Sequence, residues 1–298
     1  MTPKHIILTL LIMLCPIGMA AQSTITRNKP KPAVTKPKPA AKPKANPKPA
    51  TRRNSTHHSS NTSSTVSLSA ELNKLINNMV YVSGGTFTMG GTSEQGSDAE
   101  SDEKPTHSVT LSSYYICKYE VTQALWRVVM GSNPSNFKGD NLPVESVSWN
   151  DCQTFFNRLN SYTGRNFRLP TEAEWEFAAR GGNYSRHYKD SGSNYISDVA
   201  WYGDNSGNRT HPVGTKRPNE LGLYDMSGNV FEWCSDWYET YSSYSQTNQT
   251  GPNSGSYRIN RGGGWRYCAE YCRSSYRNSD SPGFRYSGLG LRLVLSQL

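Results

Sequence analysis

A chain of 298 residues with 35% hydrophobic content, 18 Tyr, 7 Trp, 8 Phe and 25 Gly is too polar for a polytopic membrane protein and too rich in glycine and aromatics for a coiled coil. The formal net charge of +9 invites a nucleic-acid partner, but its distribution excludes one. Residues 1–65 hold eleven of the 32 basic residues and no acid, leaving 21 basic against 23 acidic residues beyond them, so the charge belongs to a tail and not to a binding face.

Lys4 and His5 precede an apolar run from Ile6 to Ile17, and Gly18-Met19-Ala20 offers small residues where a signal peptidase reads. The run is short for a bilayer core of about 30 Å. Residues 1–21 therefore read as a secretory signal, with an uncleaved anchor or lipid attachment at Cys15 as alternatives, and the chain as exported: periplasmic, cell-surface or secreted. Lys-Pro and Ala-Lys-Pro units run from Lys29 to Ala50. Proline removes ladder and helix bonds while like charges repel, so residues 22–66 predict an extended linker. A Ser/Thr/His/Asn stretch over 51–65 continues its disorder. Such a tether holds a domain away from an envelope or touches an acidic envelope surface.

Residues 67–298 predict one α+β domain with few regular elements. An amphipathic turn over Ala70–Asn77 leads into Met79–Val82 and Gly84–Gly90, whose alternation between glycines reads as a hairpin. Thr122 caps a helix over Gln123–Met130 that Gly131 ends. Ser148 or Asn150 opens another that runs to Leu159. Thr171 with Glu174 is a capping box for Glu172–Arg180, so Glu172, Glu174 and Glu176 read as capping and helix-face residues. Beyond Gly182 helical periodicity stops, and short strands such as Val213–Thr215 and Leu289–Leu295 sit among long loops. Loops of that length need something besides an apolar core to fix them. His107, His187 and His211 lie in separate segments and make no catalytic constellation.

Seven blocks then occur in order: Met79–Gly90; Tyr119-Glu120-Val121-Thr122; Pro143-Val144 with Val147-Ser148-Trp149; Arg168–Glu176; Asn219–Val230; Arg261-Gly262-Gly263; and Leu289-Gly290-Leu291-Arg292. Together they resemble the formylglycine-generating enzyme, or sulfatase-modifying factor, family. The resemblance spans roughly Met79 to Leu298 and implies a C-type-lectin-like fold, low in secondary structure and often held by calcium. Asp225 and Glu232, seven apart across a glycine turn, bring hard oxygens that suit Ca2+, with carbonyls from Gly228 and Val230. The resemblance points to these same four positions, while pairing of the carboxylates with Arg261 or Arg292 is the alternative. A second calcium site would fall among Asp198, Asp204 and Asn205.

Active members of that family hold copper(I) between two cysteines five apart, a soft two-thiolate site. Here Cys272 matches the second cysteine, Tyr267 stands at the first, and Cys268 follows one place late. Gly264 replaces a serine, Phe231 replaces a tryptophan, and Tyr271 is kept. A one-residue slip turns a side chain by about 100° on a helix or 180° on a strand. Cu+ bound by Cys268 and Cys272 beside Tyr271, oxidising a sulfatase-type peptide, is thus one reading, and a Cys268–Cys272 disulfide in an oxidising compartment is another. The mature domain has five cysteines, an odd number, so at least one thiol stays unpaired within the monomer. The resemblance makes Cys117, Cys152 and Cys234 small buried residues.

From Arg266 to Leu289 the chain is rich in Tyr, Ser, Arg and Asn, a palette of adaptable recognition surfaces. It resembles the variable C-terminal region of retroelement-diversified lectin-fold proteins. The leading expectation is an incomplete oxidase centre and an extracytoplasmic protein or glycan ligand. That ligand would be held by Tyr267, Tyr271, Arg273, Tyr276, Arg277, Phe284, Arg285 and Tyr286.

Overall fold

The computed structural model describes residues 61–296. The signal and the Lys/Pro segment expected over 1–60 lie outside the described residues. Among the described residues no helix is long and apolar enough to cross a membrane. Helix α1 (Asn61–Asn77) begins inside the stretch read as disordered, which corrects the linker's expected character there. Leu68, Leu72 and Ile76 recur every four residues and, with Leu75, lay one face of α1 on the core.

Strands β1 (Met79–Val82) and β2 (Gly85–Met89) do not form the expected hairpin. β2 pairs instead with β3 (His107–Leu111), and β1 with β4 (Tyr114–Cys117). The chain changes sheets at Gly84, where an added Cβ would stand 2.4 Å from the Leu111 carbonyl oxygen, so the close approach requires glycine. Two helices follow, α2 (Gln123–Met130) and α3 (Trp149–Thr163). The Thr122 hydroxyl accepts the Leu125 N–H at 3.3 Å. Ser148, not Asn150, caps α3 in a reciprocal box with Asp151. That helix runs beyond Leu159 to Thr163, where the Gly164 N–H bonds the Asn160 carbonyl at 2.8 Å and the chain turns left-handed. Strand β5 (Phe167–Arg168) precedes α4 (Glu172–Ala179), whose Thr171–Glu174 box forms as the spacing requires and stabilises by about 1 kcal/mol. A short turn of helix, α5 (Ile196–Val199), follows.

The remaining strands are β6 (Phe231–Trp237), β7 (Gln246–Thr247), β8 (Arg258–Arg261), β9 (Arg277–Asp280), β10 (Leu289–Gly290) and β11 (Val294–Leu295). Three small sheets result, ordered β1-β4-β11-β5, β10-β6-β8-β9 and β2-β3-β7. Two expectations are corrected here. Val213–Thr215 forms a turn, with the Gly214 N–H given to Asp225 Oδ2 at 2.7 Å. Leu289–Leu295 is not one strand. Its first end pairs parallel to β6, its last end pairs antiparallel to β4 and β5, and Arg292 lies between them.

Helix α4 is buried along its whole length, so its glutamates require countercharges. Glu172 receives Nε and Nη2 of Arg277 at 2.6 and 2.8 Å. Glu176 pairs with buried Arg261 and with Arg180 Nε at 2.9 Å. Glu174 takes both terminal nitrogens of Arg168 at 2.7 Å. Buried guanidiniums thus supply the fixation that the long loops lack in apolar contacts.

Candidate functional site

The Arg266–Leu289 segment folds over the start of β6 and builds a connected floor of rings. Tyr267 meets Phe231 edge-on at 5.1 Å between centroids, and Tyr271 at 5.9 Å. Tyr271 meets Tyr276 at 4.8 Å, and Phe284 lies 5.6 Å from Tyr286. Tyr267, Tyr276 and Tyr286 are half-buried against the core, which makes the floor rigid. Edge-to-face ring pairs of this kind contribute about 0.5–1.5 kcal/mol each beyond burial. Phe284 and Arg285 form the exposed rim, and Arg285 grips Asp151 with Nε at 2.6 Å and Nη2 at 2.9 Å.

Two of the expected groove residues do not reach a surface. Arg273 is fully buried and gives Nη1 and Nη2 to Glu103 at 2.9 and 2.6 Å. Arg277 is 3% exposed and committed to Glu172. Ser274 and Ser275 are also fully buried. These four positions secure the loop from below, so they are closed to a variable surface on this segment.

Cys272 is a free, fully buried thiol, and so are not only Cys117, Cys152 and Cys234 buried but each carries a free thiol too. The Cys268–Cys272 disulfide therefore does not form. The Cys272 sulfur lies 3.9 Å from the Cys268 carbonyl oxygen. It is wedged against Gly263, where φ is 73° and an added Cβ would come within 2.6 Å of the sulfur. Burial, reinforced by the charge of Asp190, pushes the thiol well above its usual range, against a smaller pull from the amides of Gly264 and Gly228. Burial disfavours the thiolate, which is the form that binds copper(I). The position that the resemblance gives to the partner thiolate holds the ring of Tyr267. These residues do not fit a two-thiolate copper centre.

The carboxylates expected to hold calcium divide. Glu232 is saturated: Arg292 bonds both its oxygens at 2.7–3.1 Å, and Trp175 Nε1 donates to Oε2 at 2.7 Å. Asp225 Oδ1, by contrast, is buried without a partner among the described residues. The backbone of Asp225 and Asn229 is left-handed, with φ of 57° and 60°, which turns the loop that carries Gly228 and Val230. Sequence reasoning missed Glu120, which accepts Asn229 Nδ2 at 2.7 Å and the Val230 N–H at 3.2 Å. Its signal was the Tyr119–Thr122 block. Burial pushes Glu120 far up, with Asp225 and Glu232 adding to the rise, and burial lifts Asp225 to about 6. Three buried carboxylates thus face one guanidinium. By type the orphaned Asp225 oxygen suits a hard cation; Glu232 is already used by Arg292. The second calcium positions do not converge: Asp198 pairs with Arg217 at 3.0 Å, Asn205 Oδ1 accepts the Tyr202 N–H, and Asp204 is exposed.

With this geometry in view, residues 65–297 match the family model described as "Sulfatase-modifying factor enzyme 1-like domain". The chain is 38% identical over 276 residues to "Chaperone protein LppX" of Paenibacillus barcinonensis, across 74% of this chain and 90% of that protein. It is 35% identical over 194 residues to the formylglycine-generating enzyme of Mus musculus, across 60% of this chain and half of the mouse enzyme. The solved structure of Treponema denticola variable protein 1 superposes with a TM-score of 0.66 at 35% identity, covering 74% of this chain and 95% of that one. The α+β, formylglycine-generating-enzyme-like fold is thereby shown, and the chain belongs to the sulfatase-modifying factor family.

Proposed function

We propose that this is an exported domain of the family that binds a protein or glycan ligand on the ring floor of Tyr267, Tyr271, Tyr276 and Tyr286, rimmed by Phe284 and Arg285. A protein ligand suits the surface better, because rigid ring edges and an exposed Phe284 offer apolar area at little entropic cost. The observation carrying this reading is that the Tyr267 ring sits against Phe231 where an oxidase of this family has its first thiolate, while Cys272 is fully buried against Gly263. The likeness to a protein described as variable supports it as well. The buried Arg273, Ser274, Ser275 and Arg277 are closed to any diversification of this segment.

Copper(I) added anaerobically should give no thiolate-to-copper absorption, and a sulfatase-type cysteine peptide should not be turned over. Turnover that disappears in Cys272→Ser would reverse the reading in favour of the oxidase.

A structural Ca2+ held by Asp225 and the carbonyls of Gly228 and Val230 belongs to the same proposal, supported by the unpartnered Asp225 Oδ1. Calcium should raise the melting temperature of the chelator-treated protein by several degrees, as any ligand of the folded state alone does. Asp225→Ala should abolish the rise, measured by differential scanning fluorimetry.

A further inference from the structure

The ring floor is flanked by carboxylates that no base neutralises. Tyr276, Asn278 and Asp280 stand at alternate positions into β9 and so share a face. Asp280 is half-buried, and its Oδ2 accepts Asn260 Nδ2 at 3.1 Å and Asn278 Nδ2 at 3.3 Å. Burial lifts it to about 6 against the pull of those amides, so it carries its charge at neutral pH. That charge reaches Tyr267 and Tyr286, where it adds to the larger rise that burial imposes on both phenols. Glu100 and Asp102 add in the same way to the rise that burial imposes on Tyr276, and exposed Glu270 adjoins Tyr271 in the chain. Among the described residues none of these four carboxylates enters an ion pair, whereas Arg273, Arg277 and Arg285 are taken by Glu103, Glu172 and Asp151. Arg266, 6.0 Å from the Tyr267 ring centroid, is the segment's one unpaired base.

Residues 29–50 of the chain have the complementary chemistry: seven lysines, seven prolines and no acid. Alternating lysine and proline favours the polyproline II conformation, and segments of that kind dock on aromatic-lined surfaces because little entropy is left to lose. The segment is within reach of the floor. It precedes α1, which packs on the same apolar cluster as Tyr267, Tyr276 and Tyr286. The stretch from Ala50 to Asn61 can span up to about 36 Å, roughly twice the radius of gyration of about 17 Å expected for a domain of this size.

We propose that Lys29–Ala50 docks on the ring floor of its own chain, with its prolines against the tyrosine rings and its lysines against Glu100, Glu270 and Asp280, so that a ligand of the floor must displace it. Displacement by an outside ligand rests on the ligand-binding reading above; the contact itself does not. Tethering supplies the segment at an effective concentration of about millimolar, so weak contacts suffice. The charge contacts lie at a partly exposed surface, so the docking loosens as salt rises.

The test is isothermal titration of a synthetic peptide of residues 29–50 into the full chain with each of its seven lysines over 29–50 replaced by glutamine, which empties the floor and leaves the domain untouched. The peptide should bind that chain, and bind the wild-type chain about tenfold or more weaker, because the attached segment competes. In the emptied chain Asp280→Asn and Glu270→Gln should each weaken the peptide about threefold, and Tyr271→Ala about tenfold. Asp140→Asn, at an exposed acid already paired with Arg127, should leave it unchanged. Glu270 is exposed, so its variant decides the matter should Asp280→Asn lower the melting temperature. The proposal is overturned if the peptide ignores the emptied chain, if both chains bind it equally, or if the floor variants behave as Asp140→Asn does. It is also overturned if light scattering shows wild-type dimers that the glutamine chain does not form, since the floor would then hold the segment of a second copy. None of these outcomes touches the ligand-binding reading, which falls to copper-dependent turnover instead, so the two failures are told apart.

Discussion

Replacing Arg292 with leucine should destabilise the domain by about 3–5 kcal/mol, the range for removing one partner of a buried ion pair. Arg292 sits where the chain passes from one sheet to another, between β10 and β11, and has no solvent exposure. Besides holding both Glu232 oxygens, it donates Nη1 to the Cys117 carbonyl at 2.9 Å and Nη2 to the Tyr224 carbonyl at 2.7 Å. Its removal leaves Glu232 bonded to Trp175 alone, near Glu120 and Asp225, with no other guanidinium partner among the described residues. For a domain of this size each kcal/mol shifts the melting temperature by about 2–4 °C, so the fall should reach roughly 10 °C. Arg292→Lys keeps the charge but not the fork that serves both carbonyls and the carboxylate, and should fall between the two. Urea unfolding checks both. A leucine variant within about 1 kcal/mol of the wild type would mean that the carboxylates are compensated otherwise.

Arg273→Leu should have a comparable effect, about 3–5 kcal/mol, with a local signature. Arg273 bonds Glu103 with two nitrogens, Gln95 Oε1 at 3.3 Å, Ser275 Oγ at 3.2 Å and the Glu270 carbonyl at 2.8 Å. It thereby ties the ring-bearing segment to the turn around Ser101–Glu103. Burial works to raise the Glu103 carboxyl, yet Arg273, with the Glu100 amide and the Ser275 hydroxyl, holds it below the usual carboxylate range. Leucine leaves that charge buried and unpaired. Hydrogen exchange should accelerate over residues 266–286 ahead of the remainder, and binding to the ring floor should weaken through lost preorganisation. In a double-mutant cycle with Glu103→Leu, the second substitution should recover part of the loss, because two apolar groups leave no orphaned charge. Uniform acceleration of exchange across the chain would deny Arg273 this local role.

The exposed face at Phe284 and Arg285 and the buried pair at Arg273 and Arg277 were equivalent letters in one Tyr/Ser/Arg-rich segment. Nothing local separates them: the partner of Arg273 lies 170 residues away and that of Arg277 105 residues away. The same limit separated Glu232 from Asp225. Both suit a cation by type and spacing, and only the approach of Arg292, 60 residues on, removes one of them. The slip of Cys268 relative to Tyr267 was plain in the order of residues. That the Tyr267 ring would pack on Phe231, and that Cys272 would be enclosed by Gly263, needed three segments in contact.

What the chain's residues determine unaided is what a few neighbouring residues can satisfy among themselves. The caps at Thr122, Ser148 and Thr171 close hydrogen bonds within three residues, so these helix starts were readable directly. The order of the seven motif blocks likewise carried the family. Tertiary structure alone decided the partners: that β1 and β2 part into different sheets, that Leu289–Leu295 is divided between two, and that Arg292 takes Glu232 and not Asp225. Strand pairing and charge compensation depend on groups brought together by folding, and their energies depend on burial, a property no residue has until the rest of the chain surrounds it.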